Sequence, residues 1–432
     1  MKKIVPITLA CLLLVLQSGC KKELPSSSTP ETSAPVSSTE SSSEASAGIE
    51  PEDGASLLFW CANGDLEFAK AVCAKFEEKY GVPVTTEELG IDIQEKMTLD
   101  GPGGSGADIF MVPHDKVMQS AVSGISPELD SSIVSNLTDR VSSVAMKTVT
   151  VDGKVYGVPV SMETDVLLYN KTLVTGEPAT TFEQIKTEAA DYNDSSANKF
   201  WYLAKVSDGS AIYPYLSAGG FNLFGENGTD NDKPGFDTPE FVKGLTILQS
   251  LHDIMPISSG DLTMANSDFI SSQFAEGKTA YILGGPWNVQ NFLDSNVDFG
   301  VTTMPTYEGS DLRPFAYVQV AMTSAYSKYP KAAQLFADYL VSDDAASLLY
   351  SMRHKITSLE DISKVEGLGE DPYLAPILEQ FQSSFPMPTA SRISYYWTIS
   401  SNLGPAVFDG QMTPEDAAKK AVTDWDALIQ SE

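Results

Sequence analysis

The sequence predicts an α/β fold built on a parallel sheet and divided into two domains. Strand and helix patterns alternate in the first ordered stretch. The length of 432 residues exceeds what a single core usually spans. The hydrophobic content of 42% and aromatic content of 9% are those of a globular protein.

The chain opens with a segment that is not part of that fold. Lys2 and Lys3 precede an apolar run from Ile4 to Leu16, too short for a membrane-spanning helix and typical of a secretory signal. Gln17-Ser18-Gly19 then leads into Cys20, a small residue directly before a cysteine, as in bacterial lipoprotein processing. Residues 1–20 are therefore expected to be a lipoprotein signal peptide. Cys20 would be the lipidation site, and the remainder would lie outside the cytoplasmic membrane, lipid-anchored to it. Gln17 stands where that pattern prefers an aliphatic residue, so an ordinary export signal with an incidental cysteine is the alternative. Residues 21–54, with Ser26-Ser27-Ser28-Thr29-Pro30 and Ser41-Ser42-Ser43-Glu44 and no aromatic side chain, read as a disordered tether. Such a tether would span roughly 30 Å.

Order is expected from Ser56. Leu57-Leu58-Phe59-Trp60 reads as a buried strand, with Trp60 in the core, and Asn63-Gly64-Asp65 supplies turn and N-cap chemistry. Phe68, Val72, Phe76 and Tyr80 follow at helical spacing, and Gly81 is a fitting stop. Val82 to Glu87 and Asp108 to Val112 return as strands, and strand–helix–strand implies α/β layering. Val155 to Val160 and Val166 to Tyr169 are further strands. Helical patterns cover Phe182 to Ala190, Phe241 to Leu251, Ile270 to Ala275, Ala332 to Leu340 and Pro414 to Leu428.

The formal net charge of -30 repels a phosphate backbone, so no nucleic-acid partner is expected. Gly101, Gly103 and Gly106 match GxGxxG, but a helical stretch precedes them and a strand follows, the reverse of the dinucleotide fingerprint, so the segment reads as a loop. His114, His252 and His354 are scattered without ligand spacing, so neither metal nor cofactor is expected. No nucleophile motif occurs. Glu163 and Asp165, at i and i+2 on a strand, share a face and could form a glycosidase pair, although acidic residues are common enough for chance proximity. Cys61 and Cys73 are left as either a disulfide or two small buried hydrophobes.

Aromatic residues beside polar groups at turns stand out: Trp60 to Asp65, Pro113-His114-Asp115-Lys116, Gly285-Pro286-Trp287-Asn288 and Tyr395-Tyr396-Trp397. Rings cover the apolar faces of a sugar while carboxylates, amides and lysines meet its hydroxyls. With Phe76 to Val84, Ala107 to Phe110, Gly153 to Pro159, Leu168-Tyr169-Asn170-Lys171, Phe274 to Ala280, Phe299 to Thr302 and Met387-Pro388, these segments resemble the extracellular sugar-binding proteins of ABC importers, in particular the maltose/maltodextrin-binding type. The resemblance runs from about Leu57 to the C-terminus.

That resemblance implies a two-lobed, periplasmic-binding-protein-like fold of type II with the ligand in the cleft. Crossings would fall near Ser161 to Val166, Phe315 to Val320 and Glu366 to Tyr373. The N-lobe would take residues 55–161 plus 319–366 and the C-lobe 166–315 plus 373–432. Polar contacts would fall on Asp65, Asp115, Lys116 and Glu163, and on Asn63 beside them, and the stacking residues on Trp287 and Trp397. Three departures bear on sugar preference: Val112 replaces a tryptophan, Leu66 replaces a basic residue, and the aromatic site near Ser210 is shifted or replaced, with Tyr213 and Tyr215 as substitutes. The resemblance implies a non-enzymatic, monomeric receptor delivering an oligosaccharide to ABC permease subunits. A secreted glycoside hydrolase, a polysaccharide adhesin and a receptor for another oligosaccharide class are the alternatives.

Overall fold

The computed structural model describes residues 49–90, 92–226 and 228–432; the signal peptide, Cys20 and the tether up to residue 48 lie outside the described residues. β1 (Leu57–Ala62) is followed by α1 (Leu66–Tyr80), β2 (Val84–Leu89), α2 (Ile93–Asp100) and β3 (Ile109–Pro113). α1 buries Phe68, Ala69, Val72, Cys73 and Phe76, the stripe its spacing implies. It stops at Gly81, whose φ of 69° suits a residue without Cβ and lets its N–H close on Glu77 O. The glycine-rich stretch is a short turn, Gly101–Gly103, between α2 and β3, and so a loop as expected.

β4 (Gly157–Thr164) is separated from β5 (Val166–Asn170) by Asp165 alone. α3 (Phe182–Tyr192), β6 (Phe200–Leu203), α4 (Gly209–Ala218), α5 (Pro239–Ser250), β7 (Thr279–Gly284), α6 (Pro286–Asp294) and β8 (Phe299–Thr302) follow. The chain then enters β9 (Phe315–Thr323), α7 (Pro330–Tyr339), α8 (Asp343–Arg353) and β10 (Ile356–Thr357). It ends with α9 (Ala375–Ser383), β11 (Phe385–Pro386), α10 (Ile393–Phe408) and α11 (Pro414–Gln430).

These strands build two sheets. One is seven-stranded, ordered β10-β4-β9-β3-β1-β2 with β11 beside β9; the other is four-stranded, ordered β8-β5-β7-β6. The parallel pairing expected of the first strand–helix–strand stretch is present, and antiparallel strands join it. β1 runs parallel to β2 and β3, but β9 lies antiparallel between β3 and β4, and β5 is antiparallel to both neighbours. β9 arrives from the four-stranded sheet, so it enters the larger one from the opposite end. β4 feeds β5 across one residue, and β9 returns after β8. The strands nearest the crossings are therefore continuous with the larger sheet rather than loops.

Residues 49–54, expected from composition to belong to the tether, are among the described residues. Glu52 accepts the backbone N–H groups of Lys331 and Ala332 at 2.9 and 3.0 Å, satisfying orphan donors at the N-terminus of α7. Cys61 and Cys73 are both free and buried. Burial pushes the Cys73 thiol up to about 12, which makes it inert.

Candidate functional site

The polar groups expected from the sequence sit at strand ends of the larger sheet. Asp65 follows β1. Its side chain does not cap α1, contrary to expectation; it turns instead to two cations from the other end of the chain. Arg353 Nε donates to Asp65 Oδ1 and Lys355 Nζ to Oδ2, each at 2.9 Å. Lys355 Nζ also lies 3.4 Å from Glu163 Oε1 on β4. Ser161 Oγ donates to Glu163 Oε1 at 3.1 Å and Gln319 Nε2 to Oε2 at 3.3 Å. All four charged groups are buried. Burial disfavours the Lys355 ammonium, but Glu163 and Asp65 outweigh it and hold its pKa above the ordinary lysine value. Two cations and two carboxylates cancel, so this quartet presents fixed dipoles and no net charge.

Asp115 and Lys116 lie in a short turn after β3. His114 fixes that turn. The backbone N–H of Val318 donates to His114 Nδ1 at 3.0 Å, so the proton sits on Nε2, which donates to the Met387 carbonyl at 3.0 Å. Burial lowers the His114 pKa and keeps the ring neutral, as that tautomer requires. Asp115 Oδ2 accepts from Trp397 Nε1 at 3.1 Å. Asp115 Oδ1 is buried and has no hydrogen-bond partner among the described residues. Burial raises the carboxyl pKa, against Lys116 and His114, which lower it. Lys116 Nζ is 3.7 Å from Glu95, and Asn63 is exposed.

The tryptophans come from the other part of the chain. Trp287 is the second residue of α6, behind Pro286 at the helix start. Trp397 lies inside α10, whose buried face is Ile393, Tyr396, Ile399, Leu403 and Val407, so the turn expected there is a helix. Both indoles are half-buried. Trp397 reaches the larger sheet through Asp115; Trp287 meets Tyr317 of β9 edge-to-face, centroids 6.3 Å apart. Tyr213 and Tyr215, expected as aromatic substitutes near Ser210, are fully buried: Tyr213 stacks on Phe315 at 3.8 Å, and Tyr215 OH meets Tyr202 OH. Ser210 Oγ is instead hydrogen-bonded to Tyr317 OH. Tyr317 OH also donates to Asp165 Oδ2 at 2.6 Å. Burial pushes the Asp165 carboxyl up to about 7, helped by Asp208 and Glu163 and opposed by Tyr317 and Lys205.

Arg353, Lys355, Gln319 and Tyr317 thus belong to the site although no local motif marks them. They reach it through long-range pairing; Lys355 and Asp65 are 290 residues apart. The alternation along β9, with Phe315, Tyr317 and Gln319 on one face, is the sequence signal that bears on two of them.

Residues 71–376 match the family described as bacterial extracellular solute-binding protein. The chain belongs to that family. This solute-binding protein is 30% identical over 377 residues, 85% of its length and 87% of the relative's, to a maltooligosaccharide ABC transporter solute-binding lipoprotein of Streptococcus pneumoniae. It is 27% identical over 387 residues to a galactooligosaccharide-binding protein of Bacillus subtilis, covering 88% and 90% of the two chains. Among solved structures it is similar to MalX from Streptococcus pneumoniae in complex with maltopentaose, with 28% identity, a TM-score of 0.79, and coverage of 86% of this chain and 100% of that one. The fold is accordingly the two-lobed type II binding-protein fold.

Proposed function

We propose that this protein captures a maltodextrin-type oligosaccharide between its lobes and presents it, unaltered, to the permease of an ABC importer. The unpartnered, buried Asp115 Oδ1 beside the half-exposed Trp397 supports this most strongly. A buried acceptor without a donor is costly, and a ligand hydroxyl would satisfy it. The indole next to it offers an apolar face for a pyranose ring. A neutral quartet suits an uncharged ligand. Asp65 and Glu163 keep spare lone pairs, held in place by Lys355 and Arg353, so they act as preorganised acceptors. Lys116 would donate, Trp287 would stack at a second position, and Asn63 would contribute at the rim.

The lobe bounds that fit this reading are residues 55–161 plus 319–366 and 166–315 plus 373–432. Cys20 would carry the lipid that holds a monomeric receptor at the membrane. Hydrolysis by the Glu163–Asp165 pair is disfavoured because Asp165 accepts the Tyr317 hydroxyl and Glu163 lies beside Lys355. Similarity to a galactooligosaccharide-binding protein supports a second reading, in which the same cleft takes a galactan fragment. Calorimetric titration with maltotriose, maltopentaose, galacto- and xylo-oligosaccharides separates them. Heat only with the maltodextrins is expected; binding confined to another class would overturn the glucan assignment. Intact sugar should be recovered after denaturation, and released reducing ends would indicate an enzyme.

A further inference from the structure

Tyr317 lies among the candidate site residues, on β9, but no local motif marks it. Antiparallel pairing sets Tyr317 opposite Glu163 and Gln319 opposite Ser161, so all four side chains stand on one face of the larger sheet. That face carries the charge quartet. The alternate residue Val318 points the other way, where its backbone meets His114. Tyr317 is half-exposed, and its ring stands at 68° to that of Trp287. Its hydroxyl is tied on both sides, to Asp165 at the crossing between β4 and β5 and to Ser210 at the start of α4. The groups facing Asp165 are Tyr317, Asp208, Lys205 and Glu163. An aromatic ring fixed at its far end by two hydrogen bonds has little rotamer freedom left to lose when a ligand arrives.

We propose that Tyr317 is a ligand-binding, specificity-determining residue: with Trp287 it forms an aromatic corner that receives a terminal sugar ring and closes the cleft at that end. A sugar lying on one of two inclined rings presents its rim to the other, so the chain cannot continue straight past the corner. Asp165 and Ser210 are positioning residues that hold the ring upright. The inference rests on the oligosaccharide reading above.

Calorimetry of the full chain with maltotriose and maltopentaose tests it, using wild type, Tyr317→Ala, Tyr317→Leu and Tyr317→Phe. Tyr317→Leu fills comparable volume without an aromatic face, which keeps the test available if the alanine variant fails to fold. Tyr317→Ala and Tyr317→Leu should bind maltotriose about tenfold more weakly, a loss of about 1.4 kcal/mol. Tyr317→Phe, which keeps the ring, should lose about threefold. Thermal midpoints measured alongside separate binding from folding. Wild-type affinity in the folded leucine variant would overturn the role of Tyr317 and leave the oligosaccharide reading standing. A wild-type protein that binds neither sugar would overturn that reading and the inference with it.

Discussion

Asp165 reverses the pH behaviour usual for a carboxylate. Its pKa rises from 3.8 to about 7 on folding because burial penalises the charge. A carboxyl raised in the folded state binds more protons there than in the unfolded chain. Its contribution is therefore full below pH 4, declines as the pH rises to 7, and is flat beyond. Asp165→Asn removes that term. Urea unfolding should show the variant gaining on wild type from pH 4 to 7, by up to a few kcal/mol at about 1.4 kcal/mol per pH unit. A difference independent of pH would contradict the assignment. Lys355 is the complementary case, a buried cation shared by two carboxylates. Lys355→Met should cost about 3–5 kcal/mol in the same assay, because Asp65 and Glu163 lose a cation they cannot replace with water. The carboxylates of this quartet were legible in the sequence through the family resemblance, which points to Asp65 and Glu163. The cations were not, because nothing local distinguishes Arg353 or Lys355 from a surface base.

At the scale of elements, the sequence revealed most of what repeats locally. The strand at Leu57, the helix ending at Gly81 and the helix from Pro414 lie within a few residues of their expected places. The antiparallel insertion of β9 was hidden, since strand direction depends on where the chain comes from and not on its side chains. Trp397 illustrates a different failure. The spacing of Ile393, Tyr396, Ile399, Leu403 and Val407 is helical, but clustered aromatics beside polar residues resemble a turn, and Pro405 sits within the helix. Where β4 meets β9 the fit is close. A Cβ on Gly157 would come 2.4 Å from Val320 Cγ1, next to the register shift between Gln319 and Val320. Gly157→Ala should destabilise by about 1–3 kcal/mol, the usual cost of overpacking. Combining it with Val320→Ala should recover part of that loss in urea unfolding; simple additivity would show that the clash lies elsewhere.

For the whole molecule, the candidate site draws on the larger sheet and on helices from distant parts of the chain. Asp115, Glu163 and Tyr317 come from the larger sheet and its turns; Trp287 and Trp397 come from elements that follow the crossing. On the proposed reading neither set alone would surround a sugar, so a ligand touching both would favour the arrangement that brings them together. Small-angle scattering with maltopentaose should show the radius of gyration at its smallest in the liganded protein; expansion on binding would contradict closure. The most direct measurement is calorimetry of the double variant Trp287→Ala/Trp397→Ala against maltopentaose, beside a wild type shown to bind it. Clamping between the lobes predicts that the variant stays folded and gives no measurable heat of binding. Wild-type affinity in the double variant would place the sugar away from these indoles and contradict the proposed clamping.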